Sequence, residues 1–120
     1  MSDCVFCKIV AKEIDSHVVY EDDNVLAFLD IFPAAKGHTL VIPKMHNEFL
    51  GDVSDEELAS LVSVVKKVAK ALGDYAEGSS VLQRNGKVAG QVVPHVHFHV
   101  IPRSENDGVS LDQWDGLTDN

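Results

Sequence analysis

The sequence predicts an α+β fold in which a five-stranded antiparallel sheet is covered by two helices. Two observations carry that expectation. Short apolar runs of strand length are joined by polar or glycine-bearing turns of hairpin length. One long segment repeats its apolar residues at helical spacing behind a capping signal. The 120 residues suffice for one domain with a modest core. The expected organisation is a single domain over residues 1–120, with 104–120 an acidic C-terminal tail.

The elements follow in order. Ser2 or Asp3 can cap a short helix over residues 4–11. His17-Val18-Val19-Tyr20 reads as a strand, Glu21-Asp22-Asp23-Asn24 as a polar turn, and residues 25–29 as the return strand. Residues 31–36, with Pro33, form a loop. Residues 39–42 are a nearly continuous apolar strand that Pro43 stops. Ser54-Asp55-Glu56-Glu57 is a capping box. Leu58, Leu61, Val62, Val65, Val68, Ala69 and Leu72 then keep helical spacing. Lys66, Lys67 and Lys70 suit the C-terminal end of that helix dipole, and Gly73 ends it. Residues 79–83 are a strand, 85–90 a glycine-bearing turn, and 92–101 the last strand.

Composition narrows the function classes. Apolar residues make up 45% of the chain, and the net charge is −9. No apolar run approaches the roughly 20 residues needed to span a bilayer, so no membrane partner is expected. Met1-Ser2-Asp3-Cys4 does not begin a basic-then-apolar leader. The expected location is therefore cytoplasmic, a nuclear fraction being compatible with the same features. The acidic balance argues against nonspecific binding to nucleic acid, which needs a basic surface. It leaves a mononucleotide open, because a phosphate is held by a local cluster of donors.

The stretch Pro94-His95-Val96-His97-Phe98-His99-Val100-Ile101-Pro102 is the most informative. A strand has a side-chain period of two, so His95, His97 and His99 share one face, neighbours roughly 7 Å apart, while Val96, Phe98 and Val100 face a core. Half of the six histidines fall in this window, and packing does not ask for them there. Two chemistries compete with a plain polar face. One is a zinc site, possible because His-x-His on a strand can bring two imidazoles to one ion. The other is nucleophilic catalysis by one imidazole with its neighbours setting tautomer and charge. The two cysteines form Cys4-Val5-Phe6-Cys7, a zinc half-site, a redox pair, or two small apolar residues. A structural disulfide does not suit a reducing cytosol.

His-Val-His-Phe-His-Val-Ile over residues 95–101 resembles the signature of the histidine triad family. So do Phe6-Cys7-Lys8-Ile9, Ala27-Phe28-Leu29-Asp30, Lys36-Gly37-His38-Thr39-Leu40-Val41-Ile42-Pro43-Lys44, His46, Asn85-Gly86 and Gly90-Gln91, in the family's order and approximate spacing. The likeness covers residues 4–103 and is similar to the Hint branch, small hydrolases of purine nucleoside phosphoramidates and related adenylates. It implies the same α+β fold, usually as a homodimer whose sheets join into one.

The resemblance also implies roles. His97 would be the nucleophile, forming a covalent nucleotidyl-histidine intermediate, with the His95 carbonyl holding its other nitrogen. His99 would contact the phosphate, and His38 would belong to the catalytic hydrogen-bond network. Asn85 and Gln91 would lie near the phosphate. Asp30 would accept both ribose hydroxyls, and Phe6, Ile9, Phe28, Ile31 and Leu40 would line the base pocket. Cys4, Cys7, His46 and His95 would form a structural zinc site, closed to substrate, so that no metal enters the chemical step. Trp114 would reach toward the partner subunit's site. Val92 departs from the pattern: many relatives have Ser or Thr there, and valine offers no side-chain hydroxyl. Alternatives are a nucleotide-binding regulatory module with weak turnover, a dinucleoside polyphosphate hydrolase, and a zinc hydrolase that uses the three triad histidines as ligands.

Overall fold

The computed structural model describes residues 3–112, and the Trp114 expectation falls outside them. Helix α1 is Val5–Val10, strands β1 to β3 are Val18–Glu21, Val25–Leu29 and Thr39–Pro43, helix α2 is Asp55–Leu72, and strands β4 and β5 are Gly78–Gln83 and Phe98–Arg103. The strands form one antiparallel sheet in the order β1-β2-β3-β5-β4. This is the α+β architecture the sequence predicts. No helix among the described residues is long and apolar enough to cross a membrane.

The sheet carries a core on each face. On one face α2 lays Leu61, Val64, Val65, Val68 and Leu72 against Val25, Ala27, Val41, Val96 and Val100. Each buried valine or leucine there contributes about 1.5–3 kcal/mol relative to exposure. On the other face Cys4, Phe6 and Ile9 of the α1 region pack on Leu26, Phe28, Leu40 and Ile42. Strands β2 and β3 are therefore covered on both faces, which explains their continuous apolar runs, whereas the edge strands β1 and β4 are largely exposed.

Helix α2 starts as its sequence demands. The Ser54 hydroxyl accepts from the Glu57 N–H at 3.1 Å and donates to the Glu57 carboxylate. Asp55, Glu56 and Glu57 occupy the positive first turn. Helix α1 is capped by Cys4, whose sulfur accepts from the Cys7 N–H, and not by Asp3, while Ser2, the other candidate, lies outside the described residues.

The last strand differs most from expectation. The run 92–101 does not form one continuous strand, because β5 begins at Phe98 and extends to Arg103. The register pairs Val41 with Phe98, so two residues earlier Val96 would face Pro43, which has no N–H to give. The Val96 N–H instead donates to the Asn47 carbonyl at 2.8 Å, and the His95 N–H to the Val93 carbonyl across Pro94. The segment carrying His95 and His97 stays anchored, but to a loop rather than to a sheet neighbour.

Candidate functional site

Side-chain alternation survives the loss of ladder pairing. Val96 and Val100 join the α2 core, while His95, His97 and His99 turn to the α1 face, all buried. There the three imidazoles part company. His95 faces the cysteines, and His97 and His99 line a cavity. They do not converge on one point. Among the described residues the groups close enough to share an ion are Cys4 with Cys7, His46 and His95, and Asp30 with His38 and His99. The triple-histidine metal reading therefore lacks its geometry.

Hydrogen bonds assign the tautomers. His97 Nδ1 lies 2.7 Å from the His95 carbonyl, so Nδ1 carries the proton and Nε2 keeps its lone pair. The Ala34 N–H donates to His38 Nδ1 at 2.9 Å, so neutral His38 is protonated at Nε2. That Nε2–H donates to His99 Nδ1 at 2.9 Å, which puts the His99 proton on its own Nε2. Asp30 Oδ2 is 3.6 Å from His38 Nε2, too far for a good hydrogen bond. His38 and His99 are thus a hydrogen-bonded pair beside Asp30, with the Nδ1 and Nε2 of His38 both engaged.

Burial keeps these rings neutral. Desolvation, aided by His97, pushes His38 down to about 4. Desolvation, with His97, His38 and Arg84 adding to it, pushes His99 down to about 3. His97 is lowered by burial against a pull from the His95 carbonyl, which favours its charged form. Asp30 is raised by burial, opposed by the Phe32 N–H that its Oδ1 accepts at 2.9 Å. Phe6 packs edge-on against His97 at 5.1 Å between ring centres and against Phe28 at 5.6 Å.

The cavity is about 650 Å³, within the range of small-molecule sites. Of the residues singled out from sequence, Phe6, Ile9, Phe28, Asp30, Ile31, Leu40, His97 and His99 line it, as does Val92. Asn85 and Gln91 do not. Asn85 Oδ1 accepts from the Leu50 N–H, and Gln91 bridges the Gly86 N–H and the Glu48 carbonyl, so both brace the loop between β4 and β5. Arg84, Asp15 and Asp112 also line the cavity and were not anticipated. The only available signal for Arg84 was its place just before Asn85-Gly86. A second groove of about 430 Å³ beside α2 is lined by no histidine, cysteine or carboxylate, so the chemistry belongs to the first.

Cys4, Cys7, His46 and His95 lie close enough together to hold a metal ion. His95 Nε2 donates to the Pro43 carbonyl at 2.8 Å, which aims the Nδ1 lone pair at the cluster. His95 Nδ1 is 3.2 Å from His46 Nδ1 and 3.3 Å from Cys4 Sγ, and Cys7 Sγ is 3.3 Å from His46 Nδ1 and 3.6 Å from His95 Nδ1. A tetrahedral zinc site has N···N edges of about 3.3 Å and N···S edges of about 3.6 Å, from its Zn–N and Zn–S bond lengths. The set fits such an ion. It ties α1 to the stretch before β5 and fixes His95, whose carbonyl holds His97.

The HIT-domain family model matches residues 11–106. Relatives include the adenosine 5′-monophosphoramidases of Schizosaccharomyces pombe, 49% identical over 87% of this chain and 77% of that protein, and of Saccharomyces cerevisiae, 48% identical over 92% of this chain and 69% of that protein. A zinc-bound histidine triad family protein from Mycobacterium smegmatis is 42% identical at a TM-score of 0.86, over 92% of this chain and 81% of that one. A family model over residues 11–106 and relatives at 42–49% identity settle the family: the chain belongs to the histidine triad (HIT) family.

Proposed function

We propose that the protein is a nucleotide hydrolase that cleaves purine nucleoside phosphoramidates or aminoacyl adenylates through a covalent nucleotidyl-His97 intermediate. The observation that carries this reading is the 2.7 Å hydrogen bond from His97 Nδ1–H to the His95 carbonyl, which leaves Nε2 as a lone pair in a ring that burial keeps neutral. Names of the relatives support the substrate class: those of two yeasts are adenosine 5′-monophosphoramidases.

In the first step His97 Nε2 bonds to phosphorus and the P–N bond, or the P–O bond of an adenylate, breaks. The leaving amine takes a proton from water. The His95 carbonyl stabilises the imidazolium that forms, through Nδ1–H. The His99 Nε2–H donates to the phosphoryl oxygens, whose charge grows in the transition state. In the second step water attacks phosphorus, the His97–phosphorus bond breaks, the nucleoside monophosphate leaves, and the attacking water gives up its proton to solvent. Asp30 accepts the ribose hydroxyls, and Phe6, Ile9, Phe28, Ile31 and Leu40 take the purine.

Zinc held by Cys4, Cys7, His46 and His95 supplies structure alone, since four protein ligands leave no open position. A homodimer with joined sheets is the proposed assembly. The exposed edge strand β4, with Val81 facing solvent, supports it. Sedimentation at micromolar concentration tests it, and a monomer would overturn it. Steady-state kinetics on adenosine phosphoramidate, an acyl adenylate and a dinucleoside polyphosphate test the function. The first two should turn over well ahead of the third. Release of AMP from none of them would leave only nucleotide binding, and preference for the polyphosphate would move the chain to another substrate class.

A further inference from the structure

We propose, resting on the nucleotide reading above, that Arg84 is the cation that holds the nucleotide's phosphoryl oxygens, jointly with His99. The cavity makes the need plain. Its lining carries three carboxylates, Asp15, Asp30 and Asp112, and among the described residues Arg84 is its one lysine or arginine. The cavity's two imidazoles, His97 and His99, are buried and engaged with the His95 carbonyl and with His38. An anionic phosphate entering this acidic wall in a chain of net charge −9 needs a local cation. Only two arginines occur in the sequence, and the other, Arg103, pairs with Asp107 away from the cavity.

Local geometry points the guanidinium inward. Gly90 adopts φ +95°, and a Cβ there would run into Arg84 Nη1, so the arginine lies across the glycine turn toward the triad. Its charge reaches His99, where it helps hold the imidazole neutral. Arg84 Nη2 donates to the Leu111 carbonyl and lies 3.7 Å from Asp112 Oδ1. Those contacts orient a group whose five donors form a planar fork suited to phosphate. Asn85 and Gln91, braced as described, hold the loop that carries it.

Dissociation constants of AMP and adenosine for wild type, Arg84→Gln and Arg84→Lys, by titration calorimetry, test the assignment. Arg84→Gln should weaken AMP about 10- to 100-fold, the loss of a charge-assisted bond, and leave adenosine within about twofold. Arg84→Lys should recover part of the AMP loss, since a point charge binds phosphate without the fork. Equal weakening of both ligands would mean that Arg84 only braces the Leu111 wall, and unchanged AMP binding would mean that the phosphate lies elsewhere. Either result overturns the proposal while the nucleotide reading stands. Wild type that binds neither ligand overturns that reading and this proposal with it.

Discussion

Acidification should unfold the protein through His38, and the size of the effect follows from where that ring sits. His38 is 1% exposed, its Nδ1 is committed to the Ala34 N–H, and its Nε2–H to His99. A second proton has no place to go without breaking the bond to Ala34. Burial, with His97 adding to it, lowers the ring from 6.5 to about 4. The unfolded chain then binds the proton more readily than the folded one, so stability rises with pH through this window. The contribution is fully present above pH 6.5 and is lost as pH falls toward 4. Its total is on the order of 3 kcal/mol, a large share of the ~5–15 kcal/mol that keeps a domain folded. Urea unfolding of wild type and His38→Gln between pH 7.5 and 4 isolates it. Glutamine keeps an Nε2 donor toward His99 and does not titrate. Metal loss is common to both proteins and drops out of the difference, which reads His38 together with its coupling to His99. The wild-type curve should fall about 3 kcal/mol further than the variant's. Parallel curves would refute the assignment of a buried, neutral His38.

Two further perturbations probe the pocket and the metal set. Asp30→Ala should weaken a ribonucleotide by about 1.5–3 kcal/mol, and a 2′,3′-dideoxy analogue by much less. Equal losses in competition binding would take Asp30 away from the ribose. Purified protein should hold about one zinc per chain, and Cys4→Ala combined with Cys7→Ala should remove it. Stability should then fall by about 3 kcal/mol or more, since structural zinc contributes folding energy. Turnover per folded molecule should persist. Metal-free protein of unchanged melting temperature would contradict the site, and loss of turnover without unfolding would place the metal in the chemistry.

Much of this was legible in the sequence where one local cause sets the outcome. The capping box at Ser54 placed α2, the apolar runs placed β2 and β3, and the alternation of His95, His97 and His99 with valine and phenylalanine placed the triad on one face. Tertiary context decided what the sequence left open. Strand β5 starts at Phe98 because Pro43 on its neighbour cannot pair with Val96, a fact that needs the register and not the residue. Cys4 caps α1 because its sulfur is held beside His95, 91 residues away in sequence. Asn85 and Gln91 lie in the motif, but Asn85 bonds the Leu50 N–H and the Gln83 side chain and Gln91 bonds loop backbone. Arg84 lies across Gly90, whose missing side chain leaves room for the guanidinium, a fit that needs the folded turn.

The central claim is that His97 Nε2 bonds to phosphorus. Rapid mixing with adenosine phosphoramidate, acid-free quenching and intact-mass spectrometry test it most directly. Wild type should show a transient adduct of one AMP per chain, mapped to His97, that decays as AMP appears. His97→Ala should bind AMP but form no adduct and lose several orders of magnitude in rate. Full activity in His97→Ala, or an adduct on any other residue, would contradict the account.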